Sequence, residues 1–137
     1  FFPSRRRHTR YWRAWSSDVC SSDLPSGPAV FALPGNPVST LACLARYVFP
    51  ALYAAMGETP RPAAKIALGA PWSSKVALAS LLPVRVATDE WGRPWADPCP
   101  TNGSGDYAAL TGTDGVLELP PGPEEFPKGF VARFYPW

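Results

Sequence analysis

The hydrophobic pattern of this chain changes period at Pro60–Pro62, and that break limits its fold more than any other feature. Before it, Val38, Leu41, Leu44, Ala45, Val48, Leu52 and Ala55 recur at three- and four-residue steps, drawing an apolar stripe on a helix of about four turns. After it the period falls to roughly two, the spacing at which a strand sends alternate side chains to opposite faces. Neither periodicity can pass through the prolines, which lack the N–H that a helix or ladder needs. A helix-bearing segment and a strand-bearing segment are therefore expected on either side.

The ends of the helical segment are equally readable. Val30–Leu33 is a short apolar run suited to a buried strand, and Pro34-Gly35 stops it. Asn36 can cap a helix because its side-chain oxygen accepts an otherwise unpaired N–H, and Pro37 fits the first helical position. Pro50 withholds the N–H that would reach the Arg46 carbonyl, which predicts a kink near Tyr47–Pro50. Gly57 supplies a left-handed stop. A strand feeding a helix through a glycine turn can aim free N–H groups at an anion; a plain turn and cap gives the same pattern, so "PGNP" alone does not decide.

Beyond Ala64, "AKIALGAP", "LLPVRVA", "RPWADPC", "GVLELP" and "GFVARFYPW" read as short strands separated by turn-rich stretches. They suit a small all-β barrel or sandwich of about 70 residues, with a thin core. Two features here can carry chemistry. Arg85 interrupts an apolar run, so its guanidinium needs an anionic partner or an exit to water. An outward-facing strand residue opposite an acid would satisfy the same requirement. In "TNGSGD", Gly103 and Gly105 allow successive N–H groups to face one anion and Ser104 adds a hydroxyl. An ordinary turn leading into a short helix is the competing reading.

Residues 1–24 differ from everything that follows. They hold five of the 13 Lys and Arg and two of the 11 acids, leaving eight basic and nine acidic groups, net −1, in the other 113 residues. No basic face is left there for nucleic acid or an anionic membrane. "WSSDVCSSDL" back-translates as TGG AGT TCA GAC GTG TGC TCT TCC GAT CT, which resembles a sequencing-library adapter, and "SRRRHTR" fits another part of such an oligonucleotide. Residues 1–24 are accordingly expected to be a disordered, non-native leader. The only histidine, His8, lies in it, so a histidine triad or zinc site is not expected elsewhere. Cys43 and Cys99 stand alone, without C-x-x-C spacing. No apolar stretch approaches the ~20 residues of a membrane span, and a cytoplasmic location is expected.

Taken in order, "FALPGNPVSTLACLARYVFPAL", "LLPVRV" and "TNGSGDYAALTGTDGVLELP" resemble the C-terminal part of the MoeA-type molybdopterin molybdenumtransferases, the family that includes the gephyrin E domain. The resemblance covers residues 28–137. It implies an α+β fragment: residues 25–62 as the last strand and helix of an α/β molybdopterin-binding domain, and residues 63–137 as the C-terminal β-barrel domain. It further implies insertion of molybdenum from molybdate into adenylylated molybdopterin, with Mg²⁺ and release of AMP, by a homodimer. Arg85 matches the family's oxyanion-site arginine and Ser104 the serine beside it, both as catalytic residues. Asn36 and Ser39, in "LPGNPVS", match a loop near the same cleft and are substrate-binding candidates, with Gly103 and Gly105. The family's Mg²⁺ ligands and pterin- and adenylate-binding lysines lie upstream of the matching region. No motif of theirs occurs in this sequence, so no metal ligand is assigned and the fragment alone is expected to be inactive.

Two other classes of function compete. A non-catalytic barrel module that docks a partner would use exposed tryptophans, with Trp91, Trp95 and Trp137 as candidates. A nucleic-acid-binding protein would use the basic leader, and would lose salt-dependent binding without it.

Overall fold

The computed structural model of the chain describes residues 20–21, 29–59, 62–74, 78–102, 106–122 and 125–137. The leader lies outside them except for β1 (Cys20–Ser21), which pairs antiparallel with β2 (Phe31–Ala32). The apolar run expected as a buried strand is thus reduced to two residues, with Val30 55% exposed. A strand needs neighbours on both sides to bury such a run, and among the described residues only β1 pairs with it.

Asn36 caps the helix as its side chain predicts: the Val38 N–H donates to its Oδ1 at 3.0 Å, and Pro37 opens the first turn. The helix runs Pro37–Ala55 as α1 (Pro37–Cys43), a π-turn (Leu44–Val48) and α2 (Phe49–Ala55). The expected kink is a wider turn, placed one turn earlier. Within it the Phe49 N–H donates to the Leu44 carbonyl, an arrangement that draws the carbonyl ladder away from the crowding ring of Pro50. Gly57, at φ +87°, ends the helix.

At 19 residues this helix is long and apolar enough to cross a membrane, by length and composition alone. That corrects the sequence expectation that no stretch approaches the length of a span. The core helix of a folded domain meets the same test, and here Val38, Ser39, Ala42, Cys43 and Ala45 are buried. Leu52, Tyr53 and Met56, beyond the π-turn, are exposed.

Strands β3 (Ala64–Leu68), β5 (Ser80–Thr88), β6 (Pro94–Pro98), β7 (Gly115–Leu119) and β9 (Val131–Pro136) close into a barrel in the order β3-β6-β5-β7-β9. Each corresponds to one of the five runs with period two. Only β3 and β6 are parallel; the other neighbours are antiparallel. β4 (Trp72–Ser73) and β8 (Glu125–Phe126), too short to show a period, form a separate two-stranded ladder that inserts Phe126 into the barrel core.

Alternation sorts the barrel residues into two clusters. Ile66, Leu68, Leu82, Val84, Ala96, Leu117, Leu119, Ala132 and Phe134 face inward with Phe126. Leu81, Val116 and Tyr135 face outward, where Ala42 and Ala45 of the helix cover them. β5 is therefore buried continuously from Leu81 to Val84, as a strand is when both of its faces are covered. Gly115 begins β7 because no side chain fits there: an added Cβ would stand 2.3 Å from the Tyr135 carbonyl oxygen.

Candidate functional site

Inward-facing Val84 and Val86 turn Arg85 to the outside, where it reaches water and stands in register with Asp97 of β6. Its Nε donates to the Gly112 carbonyl at 2.8 Å. Among the described residues its Nη groups make no hydrogen bond, and no carboxylate lies within ion-pair distance of the guanidinium. The side chain is thus held by one edge, with its charged fork left for another acceptor. Gly112 permits this approach: its φ is +76°, and an added Cβ would stand 2.7 Å from Arg85 Nη2.

The segment that brings Gly112 to Arg85 is braced internally by Asp106 and tied to β5 at its end by Asp114. Asp106 accepts from the Asn102 N–H at 3.0 Å and caps the 3-10 turn Tyr107–Leu110 through the Ala109 N–H at 3.2 Å. Asp114 accepts the Val86 N–H at 2.7 Å, and its own N–H donates to the Val84 carbonyl. Gly103, Ser104 and Gly105 lie outside the described residues, but Asp106 joins the residues that flank them.

α1 packs against the same 3-10 turn, which leads on to the Gly112 carbonyl that holds Arg85. Asn36 has its Oδ1 engaged in the cap. Ser39 is 3% exposed, inside the helix-packing face.

A second group was not singled out from the sequence. Glu118 faces outward from β7 and accepts from Arg46 Nε at 3.3 Å through Oε1 and from the Tyr135 hydroxyl at 2.9 Å through Oε2. Arg133 Nη1 stands 3.8 Å from Oε2. The Arg46 guanidinium lies over the rings of Tyr135 at 4.7 Å and Tyr47 at 5.0 Å. Burial pushes the Tyr47 phenol up to about 12, against the lowering effect of Arg46. Burial, then the bond to Glu118, raises Tyr135. The signal was present: a lone acid inside "GVLELP" poses the same question as a lone arginine inside "LLPVRVA".

The tryptophans divide. Trp91 is 70% exposed, at the β5–β6 turn, with the Arg93 guanidinium 4.8 Å from its ring. Trp95 and Trp137, expected on the surface, are half-buried because each indole N–H has an acceptor. Trp95 donates to Asp89 at 3.1 Å and Trp137 to the Thr113 carbonyl at 3.0 Å. Partial desolvation acts to raise the Asp89 pKa, but the N–H of Arg93, the Trp95 indole, the Arg93 side chain and the N–H of Trp91 outweigh it and hold the carboxyl down at about 2. Cys43 and Cys99 are free thiols, and burial raises the Cys43 thiol.

Among the described residues no group of three or more His, Cys, Asp or Glu could hold a metal ion.

Known proteins resemble this chain in sequence and in fold. The profile of the MoeA C-terminal region (domain IV) matches residues 65–137. The chain is 34% identical over 117 residues to a molybdopterin molybdenumtransferase of Synechocystis sp., a match covering 84% of this chain and 27% of that relative. The chain thus spans about a quarter of the length of this relative. The molybdopterin biosynthesis moeA protein of Pyrococcus horikoshii OT3 has the same fold over 81% of this chain and 28% of its own, with a TM-score of 0.64 and 23% identity. A second Pyrococcus moeA structure gives a TM-score of 0.62 at 29% identity, covering 81% of this chain and 27% of the other.

Proposed function

Since the chain belongs to the MoeA C-terminal region (domain IV) family, we propose that it is the C-terminal part of a cytoplasmic molybdopterin molybdenumtransferase. Such an enzyme inserts molybdenum from molybdate into adenylylated molybdopterin and releases AMP. In this reading residues 25–62 end the α/β molybdopterin-binding domain and residues 63–137 are the barrel domain that completes the cleft of a homodimer. Residues 1–24 take no part. Magnesium, if the reaction uses it, is held by residues outside this segment.

The single observation behind this reading is Arg85. A permanently charged planar fork, fixed through Nε to Gly112 with both Nη groups unengaged among the described residues, suits a tetrahedral oxyanion substrate. The fork would orient molybdate and offset charge developing on its oxygens, at about 1.5–3 kcal/mol for each bond to a charged group. Ser104, with the N–H groups of Gly103 and Gly105, would supply neutral donors to the same anion. Asn36 and Ser39 would line the turn beside it.

The test joins residues 29–137 to the upstream domains of the Synechocystis relative and follows molybdenum insertion. Arg85→Ala should lower kcat/KM at least tenfold, the factor that corresponds to about 1.4 kcal/mol, with the melting temperature unchanged. Undiminished insertion would refute the assignment. Exposed Trp91 favours a second reading, a docking module without catalysis. That reading requires partner binding that survives changes at Arg85 and Ser104.

A further inference from the structure

We propose that Glu118 is a positioning residue: through Arg46 and Tyr135 it fixes where the helix Pro37–Ala55 sits on the barrel, and so seats the Pro34–Ser39 turn beside the segment that anchors Arg85. The role in substrate binding rests on the molybdate reading above; the latch itself does not.

The apolar contact cannot set this position alone. Next to Arg46 it is built from Ala42 and Ala45 on the helix side and from Leu81, Val116 and Tyr135 on the barrel side, with Val38 and Cys43 also buried on the helix. Alanines present short, nearly featureless surfaces, so sliding or rotating the helix by a fraction of a turn changes buried area little. A charged hydrogen bond is directional and weakens as its donor and acceptor turn out of line. Arg46 supplies the directional contact, with Nε 3.3 Å from Glu118 Oε1 and the guanidinium stacked 4.7 Å from the Tyr135 ring. The Tyr135 hydroxyl then holds the second carboxylate oxygen at 2.9 Å, so the acceptor cannot swing away. Arg46 lies inside the π-turn, where the wider winding changes the direction in which a side chain leaves the helix. One carboxylate thus couples helix rotation to β7 and β9.

The start of the same helix lies ten residues before Arg46, at Asn36, about 15 Å along the axis. α1 packs against the 3-10 turn that leads to Gly112, whose carbonyl holds Arg85. Freedom at Arg46 becomes displacement at Asn36 and Ser39, while Arg85, fixed within the barrel, stays in place.

Hydrogen exchange on the 137-residue chain tests the latch. Glu118→Ala should speed exchange of the Thr40–Cys43 amides about tenfold, the factor equivalent to 1.4 kcal/mol, and leave the amides of β5 and β7 unchanged. Arg46→Met removes the same contact without altering the barrel and should give the same pattern. Combining the two substitutions should add nothing to either alone. Helix amides unchanged in both variants, or helix and barrel amides speeded equally, would overturn the proposal. An NMR titration with molybdate tests the positioning. In the unsubstituted chain both Gly112 and the Val38–Ser39 amides should shift. In Arg46→Met the Gly112 shift should persist and the Val38–Ser39 shift should vanish, whereas persistence of both would refute the positioning role. Absence of any shift in the unsubstituted chain would refute the molybdate reading and the positioning role together, with the latch still decided by exchange.

Discussion

Gly112→Ala puts the anchoring of Arg85 to a quantitative test. At φ +76° the backbone is left-handed, which costs an L residue roughly 1–2 kcal/mol. The new methyl would also stand 2.7 Å from Arg85 Nη2, closer than carbon and nitrogen can approach. The guanidinium is the mobile end of a long side chain, so it yields by swinging off the Gly112 carbonyl. The 2.8 Å bond from Nε is then lost. Because Arg85 is exposed, that loss is set at the low end for a hydrogen bond, about 0.5–1 kcal/mol. The total is roughly 2 kcal/mol. In an Arg85→Ala background there is no guanidinium to displace, so Gly112→Ala should cost only the backbone strain, nearer 1 kcal/mol. Urea unfolding of the four chains, followed by tryptophan fluorescence, closes the cycle. A coupling of at least 0.5 kcal/mol is expected. Additivity within about 0.3 kcal/mol would mean that Arg85 is not held at Gly112, and the preorganised fork behind the functional reading would go with it.

Two further expectations concern the barrel itself. Leu117 is fully buried, so Leu117→Ala should destabilise by about 2–5 kcal/mol; a change below 1 kcal/mol by urea titration would show that β7 does not line the core. Asp89, held at about 2 against an ordinary 3.8, is a depressed carboxylate. Its stabilising contribution is complete above pH 3.8 and is lost as pH falls towards 2. The melting-temperature difference between the unsubstituted chain and Asp89→Asn should therefore shrink between pH 5 and pH 2, and a constant difference would contradict the four hydrogen bonds assigned to it.

The barrel was legible because inward and outward residues alternate on every long strand: Leu82 and Val84 against Arg85, Ala132 and Phe134 against Arg133. β4 and β8 were not, since two residues contain no period, and their pairing and Phe126's place in the core emerge only in the fold. The cap at Asn36 and the stop at Gly57 were legible because both are local geometry. The π-turn was hidden because proline signals that the ladder must break but not how it re-forms. Arg85 stood out as a charge among apolar residues, whereas its tie to the Gly112 carbonyl joins residues 27 apart in sequence and needed the fold. Glu118 carried the same signal and, with a partner 72 residues away in Arg46, the same difficulty.

The barrel's covered outer patch has a consequence for where the chain can be cut. Leu81, Val116 and Tyr135 lie on the outside of the β-structure and are shielded by Ala42 and Ala45. Excising residues 63–137 at the proline boundary would keep every strand of the barrel and strip the shield from this greasy spot. Excised material would self-associate, while a cut before Asn36 would retain the cover. By sequence pattern the division falls at Pro60–Pro62; by exposed oil and water the smallest well-behaved piece begins about 25 residues earlier, with the helix aboard.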